Sequence, residues 1–191
     1  STLWGNGQGL TNQTPASGTN NPCPSGFRVP TQHEWALLGS EGGSSTSADD
    51  DSFYTSDGTS GTTSTSGLVW IPVKNGVPST DWTSGTSDGT SNYPDLSGYA
   101  LYTSDTWNGI ANKTSLIDPE DPEPLMFLPA AGSRNYGYGR MYSAGDYGNY
   151  WSSTVGSISY YGQQVGFNSN YVNMTYGNYR TVGMSVRCIS E

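Results

Sequence analysis

The chain has 191 residues, enough for one domain with a core and too few for two ordinary domains to be the first expectation. Its net charge of −9, with only seven Lys and Arg, argues against binding a phosphate backbone, while six Trp and fourteen Tyr argue against a disordered chain. No run approaches eighteen apolar residues and no basic-plus-apolar leader opens the sequence, so neither a membrane span nor an export signal is expected within it.

In chain order, residues 1–22 are rich in Gly and Asn around a single Trp4 and read as an irregular arm. Next comes NPCPSGFRVPTQHEWALLG, where Thr31 and Glu34 stand in the T-x-x-E relation of a capping box. A helix of about two turns is predicted to start there, with Trp35, Leu37 and Leu38 on its apolar side and Gly39 ending it. The Ser/Thr/Gly/Asp tracts at 40–67 and 79–92 read as surface loop insertions outside the core. Between them LVWIPV (68–73) is a strand, and Pro72 places its end at a sheet edge. Residues 105–117 are read as a second short helix near Trp107 and Ile110.

After the acidic turn DPEDPEP the pattern changes. Val165 alternates with Phe167, and Met184, Val186 and Cys188 alternate with Ser185 and Arg187, so each run is predicted to be a half-buried strand. Ten of the fourteen tyrosines fall between Tyr136 and Tyr179, more than the packing of such short strands needs, and many are therefore expected to be exposed. The charge is divided too. Residues 1–127 carry fourteen acids against three bases, whereas 128–191 carry Asp146 and Glu191 against Arg134, Arg140, Arg180 and Arg187.

Chemistry-bearing residues are few. Cys23 and Cys188 lack the spacing of a metal or CxxC redox site, which leaves a disulfide, favouring an oxidising compartment, or two buried thiols. His33 is the only histidine and sits in the capped helix beside Glu34, distant in sequence from the Ser-rich face, so no nucleophile-and-base arrangement is visible. The acids at 49–51 and 118–123 lie in polar loops that favour solvation. ADDDSFYTSDG lacks the EF-hand order, so no calcium ligand, metal or other cofactor is assigned and no catalytic residue is named.

Four blocks, NPCPSGFRVPTQHEW, LPAAGSRN, GNYWSST and RTVGMSVRC, resemble in this order the Fibrobacter succinogenes major paralogous domain, a family common in exported proteins of Bacteroidetes. The C-terminal pattern is also similar to the variable proteins of diversity-generating retroelements. That resemblance implies an α+β, C-type-lectin-like fold with short helices, small antiparallel sheets and long loops. It also implies that the first helix and last strand come together, bringing Cys23 to Cys188. In those systems template adenines are miscopied, so Asn codons become Tyr, Ser, Gly and others but never Lys or Glu, and 133–182 contains neither Lys nor Glu.

By position, the resemblance makes Tyr136, Tyr138, Tyr142, Tyr147, Asn149, Tyr160, Tyr161, Asn170, Tyr176, Asn178 and Tyr179 the ligand-binding residues of a face within 128–191, with Trp151, Phe167, Val186 and Cys188 as scaffold. Tyr offers rigid amphipathic contact area and Ser, Gly and Asn adaptable hydrogen bonding, the alphabet of antibody paratopes. The expectation is a monomeric, non-enzymatic binding domain displayed outside the cell, on a cell surface or on a virus particle. Its ligand is a protein or a glycan, with protein preferred; a structural pilus or surface-layer module is the rival.

Overall fold

The computed structural model describes residues 21–38, 68–79, 81–82, 96–110, 121–156, 158–169 and 171–191; the arm at 1–20 and most of the two tracts read as insertions lie outside them. The strands are β1 (Phe27–Arg28), β2 (Leu68–Lys74), β3 (Val77–Pro78), β4 (Ser97–Thr103), β5 (Met126–Pro129), β6 (Ser133–Arg134), β7 (Met141–Tyr142), β8 (Gly148–Val155), β9 (Tyr161–Asn168), β10 (Tyr171–Tyr179) and β11 (Ile189–Ser190). The helices are α1 (Gln32–Leu37) and α2 (Ser104–Gly109).

The capping box forms as its spacing predicts. Glu34 N–H donates to the Thr31 hydroxyl at 3.2 Å, and Thr31 N–H donates to the Glu34 carboxylate at 2.8 Å. The same carboxylate accepts both branches of the Arg28 guanidinium, at 2.7 and 2.5 Å, which ties β1 to α1. These Arg28 bonds, opposed by partial burial and aided by Thr31, pull the Glu34 carboxyl down to about 2. On its other side β1 pairs antiparallel with β11, Phe27 opposite Ser190, and a Cys23–Cys188 disulfide joins the two segments with 5.9 Å between Cα atoms.

The α+β, C-type-lectin-like expectation is corrected here. The described residues are mostly β, and each of the two described helices has only six residues. At α2 the reason is local: Thr103 caps the start by accepting from Thr106 N–H at 3.1 Å, but the poor helix formers Asn108 and Gly109 follow at once and Ile110 is already extended. The helix read at 105–117 therefore ends by 109; residues 111–117 lie outside the described ones.

Two antiparallel sheets make the core. The larger has the order β3-β2-β4-β5. Ser79 N–H donates to the Pro72 carbonyl, so the missing Pro72 N–H lies on the same side, toward two-residue β3, where β2 has almost no partner to lose. Alternation buries both faces of this sheet. Val69, Ile71, Val73, Ala100 and Tyr102 meet Trp107 and Ile110, while Trp70, Tyr99, Leu101 and Leu128 face the smaller sheet, β10-β9-β8, through Tyr150, Val165, Phe167 and Val172. Trp35 of α1 enters this second cluster. Phe167 stands edge-on to Tyr99, with 5.3 Å between centroids, and lies opposite Gly148, where any Cβ would overlap its ring.

Three sequence readings need correcting. Trp82, inside a tract read as lying outside the core, is 8% exposed and packs edge-on against Tyr99 at 5.4 Å. An indole has enough apolar area to be buried whatever its polar neighbours, and its N–H donates to the Ser79 carbonyl. The 165–167 run is not half-buried, because β9 is the middle strand and residues 162–167 are all buried. Residues 184–188 form no strand: Ser185 makes one isolated bridge to Tyr150, and pairing resumes only at β11.

Two outcomes follow. The Cys23→Ser/Cys188→Ser double variant loses a link across 165 residues, and its unfolding free energy should fall by about 5 kcal/mol on the chain-entropy estimate, measurable by urea titration. A midpoint unmoved by reductant would show that the bridge is absent. Glu34 has a depressed folded pKa, so its contribution is present above the unfolded value of about 4.3 and lost as pH falls through about 2. Glu34→Gln should cost about 1 kcal/mol at pH 7, after screening of this partly exposed pair, and should flatten the stability curve between those pH values.

Candidate functional site

The tyrosines converge at one end of the smaller sheet. Tyr161 opens β9 directly opposite Tyr179 of β10, and their rings meet edge to face at 4.9 Å and 82°. Tyr160, in the turn before β9, stacks on Tyr179 at 5.7 Å and 16° and meets Tyr161 edge-on at 5.0 Å. Tyr136 reaches Tyr179 at 5.8 Å from the loop between β6 and β7. Three separate segments thus supply one aromatic group.

Backbone chemistry places each segment. In NYGYGR (135–140) the Asn135 side chain accepts from the amides of Gly137 at 2.7 Å and Tyr138 at 3.3 Å, and Gly139 takes a φ of 63°, the left-handed region that favours glycine. This turns Tyr136 and Tyr138 outward, 66% and 85% exposed. Arg134 and Gly183 exchange both backbone hydrogen bonds, at 2.6 and 3.0 Å, fastening the hairpin to the chain just after β10 and so bringing Tyr136 to Tyr179. Arg180 N–H donates to the Tyr160 carbonyl and its Nε to that of Tyr161, at 3.1 and 2.9 Å, holding the turn before β9 against the end of β10.

The hydrogen bond to Tyr179, then burial and the neighbouring Tyr179, Tyr160 and Tyr176 phenols, hold the Tyr161 phenol above the ordinary tyrosine range. Arg134 and Arg140 flank the turn that carries Tyr136, and Arg180 follows Tyr179. Between 124 and 190 Asp146 is the only acid. Partial burial raises its carboxyl.

Of the eleven residues named from sequence, Tyr136, Tyr138, Tyr142, Tyr160, Tyr176 and Tyr179 are exposed, and Tyr147, Asn149, Tyr161 and Asn178 are half-buried; Asn170 lies outside the described residues. They are not all on one face. Tyr176 pairs with Gln164 and Asn178 with Gly162, so strand alternation puts both on the opposite side of the sheet from Tyr161 and Tyr179. Asn149 accepts from the buried Gln164 amide at 3.0 Å and so belongs to the scaffold. Trp151 is 4% exposed and sits over Gly162, and Tyr150 is buried with its hydroxyl donating to the Pro129 carbonyl. These three arginines were not among the sequence candidates, although RNYGYGR and NYR show them beside tyrosines and the charge division points to them.

Elsewhere, a hollow of about 170 Å³ beside β2 and β4 is lined by Val73, Leu96, Ala100, Tyr102, Pro124 and Phe127, without a carboxylate, imidazole or thiol. Among the described residues no three His, Cys, Asp or Glu side chains gather as metal ligands would. Nor is any described helix long and apolar enough to cross a membrane.

Residues 104–189 match a family described as a domain of unknown function (DUF8237). The match takes in both strands of the tyrosine group and the hairpin beside it. No curated protein and no solved structure matches the chain.

Burial separates the two kinds of aromatic residue energetically. Tyr138→Ser should change the unfolding free energy by no more than about 0.5 kcal/mol, whereas Trp151→Ala should cost about 3–5 kcal/mol. Tyr160→Ser should fall between them, losing about 1 kcal/mol of ring contact. Chemical denaturation of the three variants checks the order, and equal losses at all three would place the outer rings in the core.

Proposed function

We propose that this chain is a secreted or surface-displayed ligand-binding protein and that the Tyr136, Tyr160, Tyr161 and Tyr179 end of the smaller sheet contacts the ligand. One observation carries the reading: tyrosines from three segments meet at the surface while the described tryptophans and Phe167 are buried in the core. A soluble surface gains nothing from gathering apolar rings in water, so such a group is favoured where another molecule covers it. The rings are also held by one another and by backbone bonds, which reduces the entropy lost on binding. The disulfide is compatible with an extracellular place of action. The resemblance to variable proteins of diversity-generating retroelements supports a ligand-binding role for this tyrosine-rich face.

The test is to pan a displayed peptide and single-domain protein library on the immobilised chain and to measure each selected binder against face variants. Tyr160→Ser/Tyr179→Ser should weaken the selected binders at least tenfold while lowering the melting temperature by only about a few degrees, whereas Leu96→Ser, on the hollow, should leave binding unchanged. Binders that ignore the tyrosine change and lose the hollow variant would move the site.

A further inference from the structure

Resting on that reading, we infer that the partner is an acidic protein surface, one that brings carboxylates to the tyrosine end. The first ground is charge. The segments that carry the clustered rings also carry Arg134, Arg140 and Arg180, and the sequence from 124 to 190 holds a single acid, Asp146. The remainder of the chain, residues 1–127, has fourteen acids against three bases. A net charge of −9 disfavours an acidic partner in general, so local guanidinium groups beside the rings would select both its approach and its orientation.

The second ground is ring geometry. Tyr160 and Tyr179 stack on each other, and Tyr161 meets both edge-on, at 88° and 82°. Tyr160 and Tyr179 thus each turn one ring face to the other. Hydroxyl donors beside guanidinium groups suit carboxylates, which accept from both. Sugar recognition by stacking needs a broad free ring face, which the centre of this group does not supply. Peptide carboxylates fit better than anionic glycans for that reason.

Arg140 is the clean probe, since it is exposed and only its backbone takes part in the loop bonding shown, whereas Arg134 and Arg180 also hold backbone carbonyls through their side chains. A random dodecapeptide library is panned on the full-length wild-type chain, and the selected peptides are measured by surface plasmon resonance in 50 and 300 mM salt; sulfated and sialylated oligosaccharides are measured in parallel. The expected outcome is a selected pool of net negative charge. Arg140→Glu should slow its association on the order of three- to tenfold at low salt and less at high salt, and Arg140→Lys should restore it.

Neutral or basic peptides that ignore Arg140→Glu but are lost with Tyr160→Ser/Tyr179→Ser would overturn the acidic partner and leave the tyrosine face standing. Peptides indifferent to the tyrosine change would overturn both readings. Binding of the anionic oligosaccharides without acidic peptides, or no enrichment above bare support, would also overturn the acidic protein partner.

Discussion

Phe167 joins the two sheets, and the position of the tyrosines depends on that joint. Its ring stands edge-on to Tyr99 of the larger sheet, stacks near Tyr150 of its own, and occupies the space left by a missing side chain at Gly148. Because β9 is the middle strand of the smaller sheet, immobilising Phe167 immobilises the whole strand. Tyr161 begins that strand six residues away, about 20 Å at the rise of an extended chain. The strand is therefore buried at one end and displays tyrosine at the other.

That separation explains how one strand serves packing and display together. Between the two ends Gln163 and Gln164 are buried polar side chains rather than apolar ones. Gln164 donates to Asn149 across the sheet, and the Gln163 carbonyl accepts from the Ser152 hydroxyl. The first of these bonds partners a side-chain amide that an apolar residue would lack, and the two together cross-link β8 to β9 between the core and the ring group.

Local signals were legible in the sequence and distant ones were not. The capping box at Thr31 and Glu34, the strand from Leu68, and the abundance of exposed tyrosine each depend on neighbouring residues or on composition, and each is present. Trp82 was hidden because its polar neighbours outweigh it in any short window, whereas burial depends on Tyr99 and Phe167, far along the chain. The run at 184–188 alternates as a strand does, but alternation cannot say whether a partner strand lies alongside. Likewise a list of tyrosines does not reveal which four meet. That is decided by the Arg134–Gly183 backbone pair and the register of β9 on β10.

The same dependence on backbone gives the tyrosine end its tolerance of substitution. The hairpin loop is held by the Asn135 side chain, by Gly139 and by the Arg134–Gly183 exchange; the turn before β9 is held by its own amides and by Arg180. None of these bonds uses a side-chain atom of Tyr136, Tyr138, Tyr160 or Tyr179. Exchanging Tyr136, Tyr160 or Tyr179 removes contact with other rings at the surface, not with Phe167 or Trp151 in the interior. Side-chain chemistry at this end can therefore change from one sequence to the next while the Cα positions that present it stay where the backbone bonds put them.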